Sequence, residues 1–449
     1  MNQPAGPAPA DLSQWLLDRP QDGQFKVGKR LFTDPEIFEL EMERIFEGNW
    51  IYLCHESQIP RPHDYITLPM GREPVVVIRA ADGSVGAYIN ACAHRGATLC
   101  RTERGHAKFL TCTYHGWTYD SSGRNVDIKD HAAGRYPQAF ERASHDLAPV
   151  ARVQSYRGFV FGSLNANVAS LEDHLAEARP FIDLVASQPP GGAEVLPGGS
   201  LYSHGGNWKM QPENGIDGYH ATTTHANYFA ILKRSMEREM AAAARAGKEL
   251  KRPMTGDLSQ MDSGWYDLGN GHNLMWLQFS LPQHRPHWNY RDQLREQLGE
   301  GPAEWLLHRQ RNLLIFPNLL LMDHVSTQIR VVRPLSADRT QVKIHCLGGK
   351  GEQRAERALR IRQYEDFYNA SGMATPDDLA NFEACHRGLQ SRHSPWLDGY
   401  ERGMDDLAPQ PDHYAEQLGI RPQAGGPDLA DETLMHGIYR QWLKQMTPA

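Results

Sequence analysis

Two short motifs constrain this chain more than any other feature: Cys92-Ala93-His94 and Cys112-Thr113-Tyr114-His115, separated by a stretch containing glycines and charged residues. Two thiolates and two imidazoles on paired loops suit a two-iron, two-sulfide centre in which two His replace two Cys on one iron. Such a centre stores and passes single electrons. The alternative is a structural Cys2His2 zinc site, which uses similar donors in tetrahedral array. Zinc motifs more often open with a Cys pair, whereas here each pair mixes one Cys with one His, as though each loop feeds one ligand to each iron.

The surrounding residues, His94-Arg95-Gly96-Ala97 and Tyr114-His115-Gly116-Trp117-Thr118-Tyr119-Asp120, closely resemble the Rieske ferredoxins and Rieske oxygenases. That resemblance implies a Rieske [2Fe-2S] cluster held by Cys92, His94, Cys112 and His115. It also implies that the glycines let backbone amides approach the sulfides, where hydrogen bonds help set the potential. Six Cys in 449 residues are too few for a disulfide framework, and two already serve the metal, which fits a reducing compartment. Cys54, Cys100, Cys346 and Cys385 are expected to be ordinary free thiols.

A chain of 449 residues, 40% of them apolar, has room for two or three domains with their own cores. Its net charge of -7 gives no basic footprint for nucleic acid. No segment approaches the roughly 18 to 20 uncharged apolar residues of a membrane span, so neither nucleic acid nor lipid is an expected partner. The stretch from Met1 to Ala10 is rich in Pro, Ala and Gly and lacks a basic start before an apolar run. It reads as a frayed tail, and the expected location is the cytoplasm.

Apolar residues at helical spacing from Leu31 to Phe46 predict one amphipathic helix covering a domain edge. From about Trp50 to Asn165 the texture changes to short strand-like runs such as Tyr65–Leu68, Val75–Ile78 and Gly158–Phe161, with turns at Asp82-Gly83 and Ser122-Gly123. A helical segment over about Asn165 to Gln188 is then interrupted by Pro189-Pro190-Gly191-Gly192, marking the passage into a second domain. Leu313–Ile315, Val331-Val332 and Val342–Ile344 are strand-like, whereas Met236 to Lys251 and Ala355 to Phe367 are helix-like. The Ala-rich, alternately charged stretch Arg238 to Arg252 reads as an exposed helix.

Between Glu213 and His225 two His and two carboxylates fall within 13 positions. Two imidazoles and one carboxylate on one face of an iron, with the other positions open, is the arrangement of non-heme Fe(II) oxygenases. Residues five apart on a regular helix are separated by about 140° around the axis, so His220 and His225 converge only through a π-type bulge or local unwinding. Read alone, one or both His are more simply hydrogen-bonded helix residues. A third ligand must come from elsewhere, and Thr375-Pro376-Asp377-Asp378 offers two carboxylates. The same residues make a good helix start, with Thr375 as N-cap and Pro376 at the first position, and spacing does not choose between Asp377 and Asp378.

Resemblance narrows these choices. Asn214-Gly215-Ile216-Asp217-Gly218-Tyr219-His220, followed by His225, resembles the mononuclear iron motif of Rieske oxygenase α subunits. It implies a non-heme Fe(II) on His220 and His225, with Asn214 near the iron. It further implies that Asp217 bridges His220 to His115 of an adjacent chain, carrying electrons between subunits. Ser371 to Asp378 looks like the segment that supplies the carboxylate in ring-hydroxylating oxygenases, where the second Asp usually ligates, which points to Asp378.

The resemblance covers nearly the whole chain and is nearest to the benzoate, toluate, halobenzoate and anthranilate dioxygenase large subunits, through Phe46–Tyr52, His55–Pro60, Tyr156–Phe159 and Arg362–Phe367. It implies an α+β fold: a small antiparallel β Rieske domain inserted into a larger α+β catalytic domain built on an antiparallel sheet flanked by helices. The expected boundaries are 1–47 for a tail and helix packing on the catalytic domain, 48–165 for the Rieske domain and 166–449 for the catalytic domain. The implied activity is cis-dihydroxylation of an aromatic carboxylate with dioxygen. The implied partners are a small β subunit in an α3β3 assembly, or an α-trimer alone, and a reductase using NADH, FAD and its own [2Fe-2S] cluster.

The chain departs from the benzoate pattern from Ala226 to about Gly264, where residues should line or cover the active site. Monooxygenation of a substituted aromatic acid such as an aryloxyacetate is therefore the alternative. A cation or amide near Phe229 to Arg234 is expected to meet the substrate carboxylate. Two other classes remain open. An electron carrier needs roughly a hundred residues and leaves most of this chain unexplained. A zinc-stabilised binding protein has no use for Asp217 or Asp378.

Overall fold

The computed structural model describes residues 11–247 and 261–447, so the expected tail at 1–10 and the end of the Arg238–Arg252 helix lie outside the described residues. The chain divides into two compact units, Leu40–His174 and the remainder, so a small unit interrupts the sequence of a larger one. Among the described residues no helix is long and apolar enough to cross a membrane.

The small unit is built from short antiparallel strands: β1 (Ile51–His55), β2 (Asp64–Met70), β3 (Glu73–Arg79), β4 (Val85–Ile89), β5 (Arg104–His106), β6 (Phe109–Thr111), β7 (Thr118–Asp120), β8 (Asn125–Asp127), β9 (Arg152–Tyr156) and β10 (Phe159–Ser163). They form three sheets in the orders β4-β3-β2-β5, β8-β7-β6 and β9-β10-β1. The Val/Ile run of β3 supplies Val76 and Ile78 to a core shared with Leu110, Trp117 and Tyr119. Two of the metal-motif residues, Cys92 and Cys112, belong to this same core. The loops carrying the motifs are thus anchored from beneath by packed side chains.

In the larger unit the central element is a nine-stranded antiparallel sheet. Its strands are β11 (Ala193–Val195), β12 (Ser200–Gly205), β13 (Ser263–Asp267), β14 (Asn273–Gln278), β15 (Arg309–Ile315), β16 (Leu319–Asp323), β17 (Thr327–Ser336), β18 (Arg339–Gly349) and β19 (Ala424–Gly426). The order is β11-β18-β17-β16-β15-β14-β13-β19, with β12 also on β18.

Directly opposed residues in antiparallel strands share a face. The register pairs Met275 and Leu277 with Asn312 and Gln310, Asn312 with Met322, and Leu320 with Arg330. Those residues therefore line one side of the sheet. Arg311 and Asp323, paired across β15 and β16, face the other side, where Asp323 binds Arg311 and also Arg285 at 2.7 Å. Gln188 donates to the same Asp323 carboxylate at 2.6 Å. The two arginine charges hold Asp323 well below the usual carboxylate range although burial acts to raise it.

Local chemistry broke several expected elements. The predicted helix over 31–46 is divided into Arg30–Thr33, Pro35–Glu41 and a π turn at Met42–Glu47. Asp34 precedes Pro35 and adopts extended geometry, as the proline ring disfavours the helical region for its predecessor. The segment at 165–188 is helical over Leu171–Leu175 and Arg179–Ser187, joined by a tighter turn. The helix expected from Met236 starts ten residues earlier, at Ala226.

Candidate active site

The two motif loops of the small unit fold alike. Cys92 N–H donates to the Ala97 carbonyl and Gly96 N–H to the Cys92 carbonyl. Cys112 and Trp117, then Gly116 and Cys112, repeat that pattern. Gly96 and Gly116 sit at φ +71° and +77°, the left-handed region that glycine enters without strain, so both loops turn back at the same point. Both thiols are buried, and Nδ1 of His94 lies 3.0 Å from Nδ1 of His115. Trp117 stacks on the His94 ring at 5.0 Å and fixes its plane. The Tyr119 hydroxyl meets Cys92 Sγ at 3.3 Å and accepts from Ala93 N–H at 3.1 Å. Desolvation, together with the neighbouring His94, Arg95 and Lys129, holds His115 below the ordinary imidazole value. Two buried thiols and two facing imidazole nitrogens fit a two-iron cluster, and as a donor set they equally fit zinc.

In the larger unit, helix α1 (Met210–Ile216) stops at Asp217, which is extended at φ -89°, ψ 126°. A short helix α2 (Ala221–Thr224) follows, and helix α3 (Ala226–Arg245) begins after His225, itself non-helical at φ -101°, ψ 26°. This double interruption is the local unwinding that the five-residue spacing requires. Gly218 permits it, because a Cβ there would lie 1.9 Å from a Leu429 methyl carbon. The His220 and His225 rings come to 5.2 Å between centroids.

Asp378 approaches from helix α4 (Thr375–Leu389). Its Oδ1 is 3.3 Å from His225 Nε2 and 3.6 Å from His220 Nε2, and one ligand atom from each of the three residues lies within 4.8 Å of the others. Asp377 reaches only Nδ1 of His225, at 3.9 Å, and its side chain is 42% exposed against 6% for Asp378. Thr375 is not the N-cap: that position is Ala374, and the Thr375 hydroxyl instead donates to the Tyr368 carbonyl at 2.9 Å, fastening the helix start to the preceding turn.

Asn214 Nδ2 donates to Asp378 Oδ1 at 3.2 Å and lies 3.3 Å from His220 Nε2. The other side of His220 is occupied by Asp217, whose Oδ2 is 2.9 Å from Nδ1. That bond selects the tautomer with Nδ1 protonated and leaves the Nε2 lone pair facing Asp378 and His225. Burial acts to lower His220, but the Asp217 hydrogen bond and the charges of Asp217 and Asp378 outweigh it and raise the group. Burial raises Asp378, whose charge therefore calls for a partner cation, and lowers His225, which favours the neutral imidazole that can ligate one. Two Nε2 atoms and one carboxylate oxygen converge, with His225 and Asp378 buried and His220 half-buried, and they fit a facial two-His, one-carboxylate metal site.

These three residues open onto a cavity of about 250 Å³. Tyr228, Phe229 and Leu232 line it from α3, Met275 and Met322 from the sheet, and Phe367 from the segment before α4. Lys233 and Arg234 do not: both are exposed on α3, so the cation expected near Phe229–Arg234 is not supplied there. Gln310, Asn312 and Arg330 also reach the cavity through strand register, and Tyr368 from the π turn Tyr364–Tyr368; none of the four carried a signal in the sequence.

Residues 49–156 match the Rieske [2Fe-2S] domain, and residues 193–448 match the catalytic domain of the ring-hydroxylating alpha subunit. The chain belongs to the ring-hydroxylating alpha subunits. It is 44% identical to the toluate 1,2-dioxygenase subunit alpha of Pseudomonas putida, over 95% of this chain and 92% of that one. It is 40% identical to the 2-halobenzoate 1,2-dioxygenase large subunit of Burkholderia cepacia, over 98% and 94%. The structure of naphthalene 1,2-dioxygenase from Rhodococcus sp. bound to indole superposes with a TM-score of 0.78 at 26% identity, covering 94% of each chain. As a Rieske ring-hydroxylating alpha subunit the protein is an enzyme of iron and iron-sulfur chemistry, which removes the electron-carrier and zinc-protein readings.

Proposed function

We propose that this chain is the terminal oxygenase α subunit of an aromatic-acid dioxygenase, adding both atoms of dioxygen to a benzoate-type ring as a cis-diol. The reaction balances with two electrons and two protons per turnover, the electrons coming from NADH through a reductase carrying FAD and a [2Fe-2S] cluster. The observation that carries the reading is the convergence of His220, His225 and Asp378 on the wall of a largely apolar cavity. The names of the toluate and 2-halobenzoate relatives support the acid as substrate class.

Each residue has a defined task. Cys92, Cys112, His94 and His115 hold the Rieske cluster; His220, His225 and Asp378 hold the mononuclear iron. When bound, these centres supply single-electron storage and dioxygen activation. Asp217 fixes His220 in one tautomer and bridges it to His115 of the partner subunit, in a trimer of α subunits with or without a small β subunit. Asn214 positions the free edge of Asp378 and His220. The walls from α3 and the sheet exclude water and hold the ring flat against the metal side. The location is the cytoplasm, where the reduced cofactor is available.

Oxygen uptake by the purified oxygenase with its reductase, across benzoate, toluate, halobenzoates, anthranilate and an aryloxyacetate, tests the proposal. Uptake coupled to cis-diol formation from at least one benzoate supports it. Hydroxylation or side-chain release without a diol would show monooxygenation instead.

A further inference from the structure

The one Arg or Lys among the described residues lining the cavity is Arg330, on β17. Its relative exposure is 1%, and neither Nε nor Nη2 meets a hydrogen-bond acceptor among the described residues. Its guanidinium lies 5.0 Å from the Tyr368 ring, which gives it a π face, and it feels the charge of Asp378, yet Nε and Nη2 stay without an acceptor. A guanidinium keeps its proton in a protein, so buried N–H donors left without an acceptor are costly.

The two bare nitrogens form one edge of the guanidinium fork. Elsewhere this chain uses that same edge to hold carboxylates. Arg72 donates through Nε and Nη2 to the two oxygens of Glu47, each at 2.8 Å, and Arg440 grips Asp18 in the same way at 2.6 and 2.9 Å. At Arg330 no carboxylate of the described residues meets that edge, and the residue itself lines the cavity. Charge points the same way: once a dication joins, it and Arg330 exceed the Asp378 and Asp217 carboxylates by one positive charge, which one bound monoanion balances.

We propose that Arg330 is the substrate's carboxylate anchor, donating from Nε and Nη2 to both carboxylate oxygens of an aromatic acid while the ring extends toward His220, His225 and Asp378. This rests on reading the cavity as the oxygenase active site. The anchor selects anionic over neutral arenes and fixes which ring carbons face the metal side. About 250 Å³ accommodates a single-ring acid, below the usual range for drug-sized ligands.

Equilibrium binding to the intact holoenzyme decides the matter without needing turnover. The probes are benzoate with benzamide and anthranilate with 2-aminobenzamide. The expected result is that the wild-type protein binds each acid at least roughly tenfold tighter than its amide, and that Arg330→Gln weakens the acids by about 10- to 100-fold, the value of a charge-assisted pair. The amides weaken much less, and Arg330→Lys falls between. Iron content and the visible spectrum of the cluster report whether each variant is folded. Equal loss for acid and amide in a folded Arg330→Gln, or unchanged acid binding, overturns the anchor. If that variant does not fold, the wild-type ratio decides: a ratio near one overturns it. Acid preference without oxygen uptake on any aromatic acid would instead defeat the oxygenase reading and leave the anchor standing.

Discussion

Oδ1 of Asp378 stands 3.3 Å from Nε2 of His225, while its sequence neighbour Asp377 reaches only the opposite ring nitrogen of that His, at 3.9 Å. The two acidic residues therefore separate cleanly by substitution. Asp378→Ala removes the proposed buried ligand and is expected to lower iron by about one atom per chain with loss of turnover. Asp377→Ala alters a partly exposed side chain and is expected to keep the iron, with stability changed by no more than about 0.5 kcal/mol. Metal analysis of both purified variants checks the pair of outcomes.

A second prediction concerns Asp217. Its carboxylate accepts from Tyr219 N–H at 2.6 Å and holds His220 Nδ1 at 2.9 Å. Asp217→Ala frees the ring to change tautomer and removes the proposed bridge to the partner subunit. Both metal centres are expected to remain, while turnover falls by at least roughly 10- to 100-fold, the usual cost of losing a carboxylate behind a ligating His. Wild-type turnover with reductase in this variant would remove the bridge from the account.

Glu213 gives a pH prediction. Full burial drives it up to about 7, against hydrogen bonds from Tyr439 and Tyr400. The folded chain then binds this proton more tightly than the unfolded chain, whose carboxyl has the ordinary 4.5. The stability contribution is full below the ordinary value and is lost as pH rises through about 7, up to about 3 kcal/mol. Thermal midpoints of the wild type are expected to fall between pH 5 and pH 8 more than those of Glu213→Gln, which cannot ionise. Parallel pH profiles would show that Glu213 does not titrate in this range.

The chemistry-bearing motifs were legible because their spacing is local. Cys92-Ala93-His94 and Cys112 to His115 each sit on one tight loop, with Gly96 and Gly116 providing the reversal. His220 and His225 were legible together with their difficulty, and the interrupted helix between Ile216 and Ala226 resolves it. What stayed hidden depends on distant pairing. Arg330 reads as an ordinary strand residue in Thr327–Ser336, and only the register with Leu320 puts it on the cavity side. Arg311, one position from Asn312, goes to the opposite side and finds Asp323 there. No local pattern tells one of these arginines from the other. The break at Asp34-Pro35 was readable in principle from the proline, yet the helical spacing of the apolar residues masked it.

Whether one chain carries two unlike iron centres is decided by counting iron, zinc and acid-labile sulfide in anaerobically purified protein. About three irons and two sulfides per chain are expected, with the visible absorption of a Rieske cluster. Zinc without sulfide, or two irons with two sulfides and none at His220, His225 and Asp378, would contradict it.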